Sequence, residues 1–339
     1  MIQTDLSDVP QRVSTGDLPS LSRVGQLITD AHERYASNDD GIVADYIPAL
    51  AEADPSWFGI SLVGVNGSRH AVGDVDVAFS VQSISKAFMF ALMCERYGRE
   101  ELVARIGVNN TGLPFDSVMA VELNDGRPLN PMVNAGAIGT TALVPGENID
   151  ERWTIVREGL SAFAGRPLEM SEEVYESETR TNDRNRAIAR LVYSYGRMAV
   201  DPAEAVEVYT RQCSLMVTAD DLAVMGATLA DGGVNPITGQ RVVSNEASSD
   251  TLAVMASCGM YERSGEWLFE IGTPAKSGVS GGIVSIAPGK GATGLFSPRL
   301  DFAGNSVRGQ HAAAYISCAL GFNMFASSPH AREKSSLAH

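Results

Sequence analysis

The run Ala87-Phe88-Met89-Phe90-Ala91-Leu92-Met93 is apolar on every side of a helical wheel. A helix of that composition has no face to offer water, so it runs through the interior of whatever the chain folds into. The segment just before it, Gln82-Ser83-Ile84-Ser85-Lys86, carries its polar groups up to that interior.

N-terminal to it, Leu21, Val24, Leu27, Ile28 and His32 share one helical face, which predicts a helix over 21–36. Residues Phe58 to Val65 alternate and are β-rich, Asn66-Gly67 signals a two-residue hairpin, and 69–80 supply the return strand. Residues 95–250 read as mainly helical, with segments near 135–144, 151–163, 182–198, 202–212 and 219–231. Past 265, β-character returns at Glu266 to Gly272, Gly282 to Ala287 and Gly294 to Ser297, before a last helix near 306–320. Strands at both ends with helices between predict an α/β chain of the α+β type. An antiparallel sheet would be built from residues 1–94 and 251–339, with a helical domain inserted at 95–250. The polar ends, 1–20 and 327–339, read as loosely ordered.

Composition removes several functions. Lys and Arg number 26 against 41 Asp and Glu, a net charge of −15 that repels phosphate backbones and argues against nucleic-acid binding. No apolar run approaches the roughly 18 residues that span a bilayer. The first residues carry neither the basic nor the apolar region of an export signal. Cys94, Cys213, Cys258 and Cys318 stand far apart, as reduced thiols that pack rather than react. A cytoplasmic protein is the expectation. The histidines are scattered, so no metal site is expected.

Ser83-Ile84-Ser85-Lys86 is an S-x-x-K, which on a helix sets hydroxyl and amine on one face. Serine is a weak nucleophile that needs a base, and a lysine serves once burial lowers its pKa. The helix start adds backbone N–H groups suited to an oxyanion. With 32 Ser and 4 Lys, this motif arises by chance about 0.4 times in such a chain. Lys276-Ser277-Gly278, at the edge of a predicted strand, is a K-[ST]-G, and the pair together is expected only about 0.02 times. The order and context are those of serine acyl-transfer enzymes with a lysine base. Their third element, S-D-N, is missing. Asn130-Pro131-Met132-Val133-Asn134-Ala135-Gly136-Ala137 is either its polar substitute or a helix start capped by Asn130. Glu178 is open to reading as a solvated charge. Gly289-Lys290-Gly291-Ala292-Thr293-Gly294 matches a dinucleotide fingerprint but precedes a strand, so it reads as a hairpin loop.

The chain resembles the serine-dependent glutaminase family, relatives of the β-lactamase and penicillin-binding fold. The resemblance rests on Ala44-Asp45-Tyr46-Ile47-Pro48, Gln82 to Lys86, Asn130 to Ile138, Ser177-Glu178, Asp183-Arg184-Asn185, Ser257-Cys258-Gly259-Met260-Tyr261, and Pro274 to Val279. It implies hydrolysis of L-glutamine to L-glutamate and ammonia, with no metal or organic cofactor. It implies Ser83 as nucleophile, Lys86 as general base, Tyr261 as a proton relay, and main-chain N–H groups of Ser83 and Val279 as the oxyanion hole. Tyr46, Gln82, Asn134, Glu178, Asn185 and Tyr209 would hold the amino-acid head group. A homodimer or homotetramer is implied. Two rivals share the motifs: a penicillin-recognising serine hydrolase, and a non-catalytic amino-acid-binding protein on the same scaffold.

Overall fold

The central sheet is made by the two ends of the chain. The computed structural model describes residues 20–45 and 47–326. Tyr46 and the ends read as loosely ordered, Ser20 apart, lie outside the described residues. Strands β1 (Gly59–Gly64) and β2 (Arg69–Gly73) form the hairpin expected around Asn66-Gly67, with Leu62 opposite His70. Gly67 takes φ +79, and the Asn66 side-chain oxygen accepts from Ser68 N at 3.1 Å. A short pair, β3 (Phe79–Ser80) with β4 (Met216–Val217), stands apart from the main sheet. Strands β5 (Ala275–Ser277), β6 (Gly282–Ala287) and β7 (Gly291–Phe296) complete the order β2-β1-β7-β6-β5, antiparallel throughout.

Strands β1, β6 and β7 are buried on both faces. On one face Ile60, Leu62, Ile283 and Leu295 pack with Val24, Leu27 and Ile28 of helix Leu21–Tyr35 and with Ile316 of helix Val307–Leu320. On the other face Val63, Val284, Ile286 and Ala292 meet helix Ala219–Ala230. Two glycines permit that approach. A Cβ on Gly294 would stand 2.0 Å from Ala219 O, and one on Gly226 would stand 2.6 Å from the Ala292 Cβ. This helix, within the segment read as an inserted helical domain, thus lies directly on the sheet.

Helix Ser85–Tyr97 is the buried helix that its composition demands. Phe88 and Ala91 are fully enclosed by a core shared with helices Ile149–Ala164, Ala219–Ala230 and Asn245–Cys258. A second helical cluster joins Asn134–Thr141, Asp183–Ser194 and Pro202–Cys213 through Ile138, Ile188 and Tyr209. No helix among the described residues is long and apolar enough to cross a membrane.

Some local expectations are corrected, and an open alternative at Asn130 is decided. Glu266–Gly272 is not β-structure but lies largely in helix Ser264–Glu270, where Trp267 and Ile271 pack one turn apart while Phe269 is exposed. A short apolar run fits either period, and the spacing of the buried pair decides. The return strand of the first hairpin stops at Gly73 rather than reaching Ser80, because the Asp74 carboxylate accepts from Phe58 N at 2.9 Å and turns the chain away. Asn130 does not cap a helix. Its side-chain oxygen accepts from Met132 N and Val133 N at 2.9 and 3.2 Å, and the helix begins only at Asn134. Gly289 and Lys290 lie in the β6–β7 turn, but Gly291 to Gly294, also read as hairpin loop, belong to strand β7, where they pair with β1 and β6. Cys94, Cys213 and Cys258 are buried free thiols, whereas Cys318 is exposed.

Candidate active site

Ser83 sits in the 3-10 turn Gln82–Ile84 that leads into helix Ser85–Tyr97. The turn is anchored by Val81 N donating to Leu215 O at 2.7 Å, next to the β3–β4 pair. Gln82 has φ +47, a left-handed conformation that a residue with a Cβ adopts only when its surroundings enforce it. The enforcement is visible. The Gln82 carbonyl accepts from Ser85 Oγ at 2.7 Å, Gln212 Nε2 donates to that Oγ at 2.9 Å, and Thr141 Oγ1 donates to Gln212 Oε1 at 3.0 Å. All of these side chains are buried. The Gln82 amide also donates to Glu178 Oε2 at 3.2 Å and to Ser80 Oγ at 3.3 Å.

Lys86 follows Ser83 at helical spacing and is buried. Its Nζ donates to Met132 O at 3.2 Å and to Asn134 Oδ1 at 2.7 Å. Burial pulls its ammonium down to about 8, opposed by Cys213, Glu178 and Asp116. Asn134 Nδ2 in turn donates to Asn185 Oδ1 at 2.8 Å.

Tyr261, also left-handed at φ +54, donates its hydroxyl to Ser277 O at 3.1 Å. Burial raises its phenol, while the Ser83 hydroxyl beside it pulls the other way. Lys276 lies fully buried against the Tyr261 ring, 4.2 Å from its centroid, and donates to Gly259 O and Ser277 O at 2.9 and 2.8 Å. Burial and the charge of Lys86 hold Lys276 well below the usual lysine range. Edge strand β5 brings this K-S-G segment against the Ser83 turn: a Cβ on Gly278 would stand 3.1 Å from both Val81 O and Ile84 Cγ1. Among the described residues, neither Ser83 N nor Val279 N donates to a backbone carbonyl.

Glu178 is buried on helix Glu172–Thr181 rather than solvated, and burial pushes its carboxyl up to about 7 against the pull of Gln82 and Lys86. Tyr209, buried on helix Pro202–Cys213, is raised by burial and lies in the field of Glu178 and Tyr261. Tyr46 lies outside the described residues. Ala44 and Ile47 pack in one cluster with Tyr261 and Val279. The structure therefore gathers Ser83, Lys86, Gln82, Asn134, Asn185, Glu178, Tyr209, Tyr261 and Val279 around one point.

Other residues of this site escaped the sequence. The Phe115 ring packs tilted against Tyr261, centroids 4.9 Å apart, and its centroid stands 5.9 Å from Lys86 Nζ. Lys276 carries the K-S-G signal, but its contact with Tyr261 follows only from the fold. Ser85, Thr141 and Gln212 support the turn from three helices and carry no linear signal.

An antiparallel sheet whose K-S-G edge strand meets the turn that carries S-x-x-K into a buried helix is the β-lactamase-like architecture. The family model described as "Glutaminase" matches residues 41–325. "Glutaminase 2" of Yersinia pestis is 53% identical over 319 residues, 94% of each chain. The glutaminase of Colwellia psychrerythraea is 47% identical over 91% of this chain and 99% of its own. Among solved structures, "Probable glutaminase ybaS" superposes with TM-score 0.90 at 44% identity, over 91% of this chain and all of its own. A probable glutaminase from Bacillus subtilis complexed with 6-diazo-5-oxo-L-norleucine superposes with TM-score 0.80 at 30% identity, over 93% of this chain and 99% of its own. The chain belongs to the glutaminase family.

Proposed function

We propose that the protein hydrolyses the side-chain amide of L-glutamine, giving L-glutamate and ammonia through a γ-glutamyl ester on Ser83. The observation that carries this is the hydrogen bonding of Lys86. A neutral amine has two N–H groups and one lone pair. Met132 O and Asn134 Oδ1 take the two N–H groups, so the lone pair is left for the Ser83 proton. Burial makes the neutral amine accessible near pH 8.

Ser83 Oγ attacks the amide carbon as Lys86 accepts its proton. The oxyanion is met by the N–H groups of Ser83 and Val279. The C–N bond breaks as a proton passes from Lys86, relayed by Tyr261, to the leaving nitrogen. Water then cleaves the ester by the same route in reverse. The Glu178 carboxylate pairs the substrate ammonium. Gln82, Asn134, Asn185, Tyr209 and Tyr46 supply amide and phenol groups for the rest of the head group. Such a pocket rejects simple amides that lack the charged head group, because its buried polar groups would stay unpaired. No metal or organic cofactor is required. The family likeness supports a cytoplasmic homodimer or homotetramer.

The test is ammonia release from L-glutamine and L-asparagine, with Ser83→Ala as control. Glutamine-selective release that vanishes in Ser83→Ala is expected. Absence of release by the native protein, or turnover of a chromogenic β-lactam instead, would sink the proposal.

A further inference from the structure

We propose that Asn182 and Thr210 are positioning residues of this reaction, holding the Asn134 amide with its oxygen turned toward Lys86. The inference rests on the assignment of Lys86 as base. An asparagine side chain presents oxygen or NH₂ according to how it is turned, and an NH₂ facing Lys86 would set donor against donor. Something must fix the Asn134 amide, and a chain of hydrogen bonds does so. Asn134 Nδ2 donates to Asn185 Oδ1 at 2.8 Å, and Asn185 Nδ2 donates to Asn182 Oδ1 at 2.6 Å. Asn182 Nδ2 donates to Thr210 Oγ1 at 2.6 Å, and Thr210 Oγ1 donates to Val206 O at 2.8 Å.

Every link runs in one direction. Val206 O is a helix carbonyl and only accepts, so it commits the Thr210 proton. Thr210 then offers Asn182 a lone pair, Asn182 must present NH₂ to it and oxygen to Asn185, and the order passes along to Lys86. Asn182 and Thr210 are both buried. Neither bonds Ser83 or Lys86, so their influence reaches the base only through Asn185 and Asn134.

The position of Asn182 supports this. It stands at the start of helix Asp183–Ser194, where asparagine ordinarily caps with its side chain, yet it makes no cap bond. Asn148, Ser171, Asp201, Thr218, Ser244 and Ser306 all cap their helices that way. The side chain of Asn182 is committed to the amide chain instead, a local rule set aside of the kind found at functional sites.

The experiment is the pH profile of kcat and kcat/KM for Thr210→Val, Thr210→Ser and Asn182→Asp, beside Ser83→Ala and Lys86→Ala. Thr210→Val leaves Asn182 without an acceptor and frees the chain to turn over. Its kcat should fall about tenfold, the scale of one lost hydrogen bond. Its acid limb should move to lower pH, because the Lys86 ammonium loses an acceptor. Thr210→Ser should restore both. Should Thr210→Val not fold, Asn182→Asp carries the test, since a carboxylate in the chain should move the acid limb to higher pH. Unchanged profiles in Thr210→Val or Asn182→Asp would overturn the proposal. So would a loss of kcat that Thr210→Ser shares without movement of the limb. Survival of activity in Ser83→Ala or Lys86→Ala would instead overturn the assignment of nucleophile or base.

Discussion

The Nζ of Lys276 and the ring of Tyr261 are held face to face at 4.2 Å, and both side chains bond the same carbonyl, Ser277 O. Lys276 thereby holds the ring against its face and the hydroxyl through a shared acceptor. Lys276→Met keeps much of the stem but leaves Gly259 O and the phenol less constrained. We expect kcat to fall at least about tenfold, with stability lower by about 1–3 kcal/mol. Steady-state kinetics beside thermal melts check this, and a native kcat would remove Lys276 from the site's support.

The Lys86 ammonium is held at about 8 by burial, so with Lys86 as base kcat/KM should fall about tenfold per pH unit from about 8 down to about 7, and more steeply below that as Glu178 also takes up its proton. Stability follows the same group. Its folded pKa is lowered from 10.5, so stability is gained as pH rises from about 8 toward 10.5 and lost as pH falls through about 8. Lys86→Met should abolish turnover and make the rise of melting temperature across that window shallower, with buried Lys276 supplying the rise that remains. A Met variant whose melting temperature rises as steeply as the native protein's would contradict the assignment.

Glu178 has the opposite sign. Its folded pKa is raised from 4.5 to about 7, so its contribution is complete below 4.5 and lost as pH rises through about 7. If the Glu178 carboxylate pairs the glutamine ammonium as proposed, KM should rise as pH falls below about 7. Glu178→Gln should raise KM strongly and erase this dependence. A KM in the Gln variant that keeps the native pH dependence would show that the ammonium is held elsewhere.

The left-handed Gln82 is enforced through Ser85 and Gln212. Gln212→Leu strands the Thr141 hydroxyl and loosens the Ser85 bond. A stability loss of about 1–3 kcal/mol is expected, with a larger proportional loss in kcat than in KM. Denaturant melts and kinetics separate the two, and a variant that loses stability while keeping kcat would make the network structural only.

Gly294→Val should be among the most damaging single changes away from the site. Its Cβ would stand 2.0 Å from Ala219 O, and backbone on both sides leaves nothing to rotate away. Overpacking of this kind costs about 1–3 kcal/mol or more, and soluble yield beside a thermal melt measures it.

The part of this architecture that could be read from the chain was the part written locally. Ser83, Lys86 and the apolar helix behind them lie within one short stretch, and the K-S-G strand and Asn66-Gly67 turn have fixed local chemistry. Glu178 was less plain, because it stands among Glu172, Glu173 and Glu176 and looks like one more solvated charge. Only packing of its helix makes it buried. Asn182 has the appearance of a helix cap, and its diversion to Thr210 depends on two helices meeting. The Glu266–Gly272 error has the same root: Trp267-Leu268-Phe269 is apolar without a period of its own.

The pairing of β1 with β7 fixes when this enzyme can come into being. Strand β1 is made early in synthesis, but its inner neighbour begins only at Gly291. While the ribosome builds the helices between them, the first hairpin has one edge unpaired and apolar side chains uncovered, a template for wrong partners. Ser83 is translated long before the strands that complete its surroundings. Stalled chains ending before residue 282 should be sensitive to protease in the first hairpin and silent toward glutamine, and a protected hairpin in such chains would contradict this. Activity should thus arrive late, with the last stretch of the polypeptide.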